Sequence, residues 1–216
     1  MKKVFSYHKP PLKHIDIKKV ERLKICFQFL FVLVLSCASG VILSKSISDS
    51  FYANWMFRVS THFETIFIKC SDVFERAIAI CVYSLSDILS VFLIFAVSFF
   101  VFNYTLTNVV LFYNGIKFGV SVSFLIEFFK RSETIYSIGI SRLILFLSFE
   151  FVFLVVLFLY SCKMALSSSK LRGVTTLGRP NIKPKEFFLS TVKTLAYIGV
   201  ILILNSSYCF LLYFSK

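Results

Sequence analysis

The chain has 216 residues, of which 57% are hydrophobic, and it carries a net charge of +13 from 24 Lys and Arg against 11 Asp and Glu. Its apolar residues form long blocks, and several blocks reach the roughly 20 residues that a helix needs to cross a bilayer. These blocks exclude a soluble globular domain, so we predict an all-α, polytopic integral membrane protein. The Lys and Arg excess lies beside apolar blocks and carries no nucleic-acid-binding motif, so it indicates a positive-inside bias and no nucleic-acid partner.

The N-terminal part of the chain combines a basic leader with the first apolar block. Residues 1–24 form the leader, which we predict to be cytoplasmic and attracted to the anionic headgroups of the lipid bilayer. Residues 25–44 are predicted to be an anchor helix. Cleavage as a signal peptide is the alternative, but the long leader and the continuation of the apolar run beyond Cys37 favour a retained anchor. Either outcome leaves residue 45 onward outside.

Residues 45–85 are predicted to form an extracytoplasmic amphipathic helical segment. Four basic residues balance four acidic residues there, and Phe63, Phe67 and Phe74 recur at helical spacing. Trp55, the only tryptophan, suits a membrane interface. Two interpretations remain open for this segment: a solvated connector, or a docking surface for an extracytoplasmic partner that these four aromatic residues would form.

The next apolar blocks predict a three-span membrane block over residues 86–162. We expect its spans at about 86–104, 109–129 and 142–162. A polar turn at residues 103–108 is expected to end the first of them.

A second basic segment follows the three-span block. Residues 163–189 are rich in Lys, Arg, Ser, Gly and Pro, and we predict a basic cytoplasmic loop. Residues 190–216 are predicted to contain the final span. Because both basic segments should be cytoplasmic, an even number of crossings must separate them, and the four blocks between them meet that condition. We therefore predict five spans in a multi-pass cell membrane protein, with the N-terminus cytoplasmic and the C-terminus outside.

Two charged residues fall deep inside predicted spans. A Lys or Asp at the centre of a membrane helix costs about 2.5–3.5 kcal/mol on insertion scales, so such residues usually face a partner or a water-filled cavity. Lys117 and Glu150 lie at similar depth in neighbouring spans, and we predict that they form an intramembrane polar pair. Helix–helix contact, an ion or proton pathway and a partner-binding polar site are the open interpretations. Lys117 also leaves open a break or a re-entrant turn in its span.

Small and polar residues surround Lys117. Gly115 and Gly119 have the small-xxx-small spacing that allows two helices to approach closely. Together with Asn114 they are predicted to be helix-packing residues.

Motifs of catalysis and metal binding are missing from the sequence. The chain has no GxSxG, HExxH, P-loop or GxGxxG, and its six Cys and three His have no metal-ligand spacing. We therefore expect neither an enzyme nor a bound cofactor or metal.

The segment 111–125, LFYNGIKFGVSVSFL, resembles the middle of the stage II sporulation protein M family. The order of the predicted elements is also similar to that family: a basic leader, an anchor, an outside segment, three spans, a basic loop and a last span. Glu150 matches a Glu that many members carry in the fourth span, whereas Ser148 and Phe149 replace the usual His-Gly before it.

The resemblance implies a function without catalysis. It suggests a membrane scaffold that engages the peptidoglycan-degrading stage II sporulation proteins D and P at the septum, during engulfment of the forespore. A membrane subunit of a transporter or export system is the alternative.

Overall fold

The structure is a computed structural model that describes residues 17–46, 50, 72–100, 103–130, 140–174, 180–182 and 184–214. Within these residues the secondary structure consists of six helices and one short β-hairpin. The elements are α1 Ile17–Ser44, α2 Val73–Tyr83, α3 Leu85–Val97, α4 Asn103–Lys130, α5 Ile140–Leu171, β1 Arg172–Val174, β2 Pro180–Ile182 and α6 Pro184–Phe214. The all-α architecture predicted from the apolar blocks is therefore present.

Four helices in the described part of the chain are long and apolar enough to cross a bilayer. These candidate spans are Val20–Ser44, Asn103–Glu127, Ile144–Ser167 and Pro184–Leu211. The helices α2 and α3 together would make a fifth span, bent by 54° between them. The structure thus agrees with a polytopic membrane protein.

The bend between α2 and α3 has a local cause at Ser84. Its Oγ donates a hydrogen bond to the carbonyl oxygen of Ile80, one turn earlier, at 2.8 Å. A serine hydroxyl bonded to the carbonyl four residues back often bends a helix. The bend turns a buried Ser84 toward α6, where Asn205 contacts it.

The helices α1 and α4 pack side by side and run parallel. Ser36 lies opposite Gly115, Gly40 opposite Gly119, and Ser44 opposite Ser123. Residue numbers rise together along both helices, which defines the parallel direction. Because α1 and α4 point the same way, the chain between them must return to the end from which it started.

The helix α3 makes that return, since it runs antiparallel to α4. Asp87 contacts Lys117, whereas Ser90, one turn later, contacts Asn114, one turn earlier.

The helices α5 and α6 also run antiparallel, because the Phe146 ring lies beside the Tyr208 ring and the Tyr160 hydroxyl is hydrogen-bonded to the Thr194 hydroxyl. Consecutive long elements therefore alternate in direction. The helices α1, α4 and α6 begin, and α3 and α5 end, at one end of the bundle. We call this the basic end, because exposed Lys24, Lys163 and Lys185 lie toward it.

Side chains between the helices of the bundle are buried, and the outer faces of the helices are apolar. One cluster of buried side chains includes Phe29 of α1, Leu111 of α4, Leu157 and Tyr160 of α5, and Ile201 of α6. Large apolar side chains also cover the outer faces, for example Phe31, Phe151 and Ile203. Exposed apolar surface along entire helices suits lipid and not water.

Several predicted boundaries differ from the structure. The turn expected at 103–108 is wrong, because Asn103 begins α4 and the chain leaves the helical path after Val97. At that point the Ser98 hydroxyl bonds the carbonyl of Phe95, and the backbone closes tight turns at 98–100. The helix α4 is continuous through Lys117, so the break considered there is absent.

The predicted loop at 163–189 is shorter in the structure. The helix α5 extends to Leu171, and α6 begins at Pro184, a residue suited to the first position of a helix. Between them β1 and β2 pair antiparallel, with Arg172 opposite Ile182. The polar composition therefore does not mark where the helix ends.

Candidate functional site

The main candidate site is an ionic cluster in the interior of the bundle. Lys117 Nζ of α4 lies 3.1 Å from Glu150 Oε1 of α5 and 3.5 Å from Asp87 Oδ1 of α3. The side chains of Asp87 and Glu150 are each 11% exposed, and that of Lys117 is 34% exposed. The structure therefore brings the predicted pair together and adds a second carboxylate that the sequence reasoning missed.

Lys117 sits near the middle of its helix. It follows Asn103 by 14 residues and precedes Lys130 by 13, counted on the bounds of α4. At 1.5 Å per residue, either end of the helix is about 20 Å away. The cluster thus lies deep in the candidate span, where unpaired charge is most costly.

The helix α6 closes the cluster through Asn205. Its Nδ2 donates to Ser84 Oγ at 2.8 Å and lies 3.4 Å from Asp87 Oδ2. Within the described residues, Asp87 Oδ1 accepts no hydrogen bond although it is buried. Four helices, α3 to α6, therefore meet at one group of polar side chains.

A small cavity adjoins the two carboxylates. Asp87, Glu150 and Asn205 line it together with Tyr83 and Tyr208, and three phenylalanines of α5 complete its wall. Its free space is about that of one water molecule. The cavity therefore offers room for a hydrogen-bonded water or for a small movement of a carboxyl group.

Asn114 provides a second polar contact between α3 and α4. Its Nδ2 donates to Ser90 Oγ at 3.1 Å and to the carbonyl of Val110 at 2.9 Å. Asn114 is buried and lies about one turn from Lys117. The predicted packing residue therefore joins the same helix pair as the Asp87–Lys117 contact.

The predicted glycines lie at the α1–α4 contact. A Cβ built on Gly115 would overlap the Ser36 side chain, and one built on Gly119 would overlap the Cys37 carbonyl oxygen. Gly40 of α1 meets the Ile116 carbonyl in the same way. These contacts are shorter than any side chain permits, so the helices touch backbone to backbone.

The sequence reasoning missed the complementary motif on α1. Ser36, Gly40 and Ser44 are spaced four residues apart, like the α4 set with which they pair, and Ser44 Oγ bonds Ser123 Oγ at 2.5 Å. The equal spacing was the signal that could have indicated this pairing.

The predicted docking residues lie mostly outside the described part of the chain. This applies to Trp55, Phe63 and Phe67. Phe74 lies in the first turn of α2 and is 72% exposed. Ile78 and Val82 are also exposed and follow it at four-residue spacing, so the three form an apolar stripe along α2.

The arrangement of ionisable groups is suited to holding charge between helices. Within the described ranges, no three His, Cys, Asp or Glu side chains are grouped as they would be around a metal ion. The ionic cluster instead pairs one ammonium with two carboxylates. It can join helices, and it can bind or release a proton.

Comparisons with known proteins supply no further identification. No protein-family profile, no curated protein and no solved structure matches the chain. The family resemblance therefore rests on segment 111–125 and on the order of the elements.

Proposed function

We propose that the chain is a noncatalytic membrane scaffold, similar in role to stage II sporulation protein M. It would recruit or position peptidoglycan-degrading proteins at the septum for forespore engulfment. Stage II sporulation proteins D and P are the proposed partners, through the family resemblance. The observation that carries this proposal is the apolar stripe of α2, defined by Phe74, Ile78 and Val82.

The position of α2 makes its stripe accessible to a partner. The helix packs against α6 and the following α3, and its stripe is not covered by them. Its first residue follows the segment 45–72, which holds the other predicted docking residues. Because α2 is proposed below as the outer half of a bent crossing, a partner would reach its stripe with an apolar helix that enters the membrane.

Contacts between the helices of the bundle would hold such a surface in a fixed position. The ionic cluster joins α3 to α6, and the backbone contact joins α1 to α4. A scaffold needs this stiffness, because a partner is positioned only as accurately as the helices that hold it.

We also propose the orientation of the bundle in the cell membrane. The alternating helix directions support five crossings, with α2 and α3 together as one bent crossing. The Lys and Arg residues concentrate at the basic end, which by the positive-inside tendency faces the cytoplasm. The N-terminus is then cytoplasmic. The first residue of α2 and the C-terminus both lie outside. Alkaline phosphatase fused after Lys216 should be active, since that enzyme folds only outside the cytoplasm.

Co-purification in mild detergent tests the scaffold. The tagged chain is co-expressed with stage II sporulation proteins D and P, and bound proteins are identified by mass spectrometry. We expect the wild type to recover both proteins and Phe74→Glu to recover several-fold less. Recovery of neither protein by the wild type would reject the proposal.

Phe188→Glu is the matched control. Phe188 lies near the start of α6 at the basic end and is 70% exposed, close to the 72% of Phe74. The same change at the same exposure should leave partner recovery intact if the outer surface binds. Both variants are compared at equal amounts in washed membranes.

The transporter subunit remains a second candidate because of the ionic cluster. Polar groups from four helices deep inside a bundle are also typical of substrate or ion pathways. The same purification discriminates the two, since a transporter subunit should recover a nucleotide-binding ATPase in place of wall hydrolases.

A further inference from the structure

The ionic cluster contains one more carboxylate than cations. Asp87 and Glu150 both lie within ion-pair distance of Lys117, which is the only Lys or Arg of the described chain so placed for either carboxylate. With all three groups ionised, the cluster would carry a charge of −1. A buried charge without a counter-charge is strongly disfavoured, and a group in that position usually neutralises by taking up a proton.

The neighbouring helices supply no second cation among their described residues. The groups that face the carboxylates are the phenol of Tyr83 from α2, the hydroxyl of Ser84, and Asn205 and Tyr208 from α6. Cys209 lies beside Tyr208 and is buried. All of these groups are neutral and can donate hydrogen bonds, but they cannot cancel the remaining charge.

We infer that Asp87 and Glu150 together hold one exchangeable proton beside Lys117, so that the cluster is a binding site for a single proton. The two carboxylates differ in their contacts. Glu150 makes the shorter contact with the ammonium, whereas Asp87 Oδ1 is buried without a hydrogen bond in the described residues. Both carboxylates nevertheless face the same ammonium and line the same cavity, so the single proton is shared between them.

A metal cation fits this position less well than a proton. The Lys117 ammonium is 3.1 Å from Glu150 and 3.5 Å from Asp87, so it would repel Na⁺ or K⁺ bound between the same oxygens. A proton instead converts a carboxylate into a neutral hydrogen-bond donor, which the cavity and its phenols can accommodate. The inference does not depend on the scaffold role.

A hydrophobic carbodiimide is the chemical probe. The O–H of a protonated carboxyl adds across one C=N bond, with the proton passing to nitrogen and the carboxyl oxygen to carbon. The O-acylisourea then rearranges to a stable N-acylurea, or the Lys117 amine displaces a urea from it and forms an amide. Either product marks one protonated carboxyl and changes the mass of the chain by a defined amount.

The experiment uses the full chain in detergent micelles, with intact-mass and peptide-mapping detection across a pH series. We expect one modification per chain at Asp87 or Glu150, decreasing as pH rises. No modification of either residue, or two per chain, would overturn the inference. Protection by Na⁺ at constant ionic strength would also overturn it, since a metal cation would then be the occupant.

Single substitutions separate charge balance from simple burial. Asp87→Asn and Glu150→Gln each leave one carboxylate facing one ammonium. Each substitution should therefore reduce labelling of the remaining carboxylate at least tenfold. Lys117→Met should allow two modifications per chain. If the remaining carboxylate in Glu150→Gln is labelled as in the wild type, burial alone holds the proton and the shared site is wrong.

Glu127→Gln is the matched control, because Glu127 lies on α4 but away from the cluster. It should retain the single modification. Should a cluster variant fail to fold, infrared spectroscopy of the wild type tests the same point. One protonated-carboxyl C=O stretch per chain, sensitive to deuterium exchange, is expected at neutral pH, and its absence would overturn the inference.

Discussion

Gly119 of α4 faces the backbone carbonyl of Cys37 of α1 so closely that a Cβ added to Gly119 would overlap the carbonyl oxygen. We expect Gly119→Ala to push α4 away from α1 and to lower stability by about 1–3 kcal/mol, the usual cost of inserting an extra methyl group into a packed contact. Thermal unfolding in detergent, followed by circular dichroism, measures the effect. The matched control is Gly199→Ala on α6, where an added Cβ meets nothing within 4 Å. Equal melting temperatures for the two variants would contradict the backbone contact.

The ionic cluster predicts a specific pattern of rescue. Lys117→Leu leaves two carboxylates in the bundle interior, and breaking a buried ion pair typically costs about 3–5 kcal/mol. We therefore expect little Lys117→Leu protein in washed membranes. Glu150→Gln added to it should restore part of the amount, and Asp87→Asn added as a third change should restore most of it.

Lys185→Leu controls for the loss of a positive charge. Lys185 is exposed at the start of α6 and has no role in the cluster. Its accumulation should match that of the wild type. Full rescue of Lys117→Leu by Glu150→Gln alone would show that Asp87 does not interact with Lys117.

The predicted and observed positions of Asp87 show how far the sequence could predict the site. The apolar blocks indicated the helices, and comparable depth indicated the Lys117–Glu150 pair. A predicted span beginning at 86 left Asp87 at the membrane boundary, where a charge needs no partner. In the structure, α2 precedes α3 at a 54° bend, and Asp87 is buried just after that bend. Ser84, at the bend, also contacts Asn205, 121 residues later, and local periodicity cannot indicate that contact.

The α1–α4 contact illustrates the same limit. Gly115 and Gly119 were predictable as a packing motif, but their partner helix was not. Small residues at four-residue spacing also occur on α1, and only the assembled bundle shows that Ser36 and Gly40 face the two glycines. Composition therefore predicts which faces can approach closely, and the fold determines which faces meet.

Asn205 is predicted to stabilise the bundle through its two side-chain contacts. Asn205→Leu removes the donor to Ser84 and Asp87 and should lower stability by about 1–2 kcal/mol, within the range for hydrogen bonds between membrane helices. Ser206→Ala is the neighbouring control, because Ser206 is exposed and bonds only the carbonyl of Leu202 within its own helix. The two variants are compared by thermal unfolding in the same detergent. A melting temperature of Asn205→Leu at or above that of Ser206→Ala would argue against the α3–α6 connection.

Cys26 and Cys162 predict a crosslink that reports on helix arrangement. Cys26 on α1 packs against the buried cluster that contains Cys162 of α5, toward the basic end, although 136 positions separate the two in the sequence. Copper-phenanthroline should oxidise the two thiols to an intramolecular disulfide, with the loss of two hydrogens to the oxidant, because neighbouring cysteine side chains can rotate into disulfide geometry. Peptide mapping under non-reducing conditions detects the product. Cys26→Ser should abolish it and Cys81→Ser, at an exposed position on α2, should not. A disulfide from Cys162 to a different cysteine in the wild type would require α1 and α5 to be arranged differently at this end of the bundle.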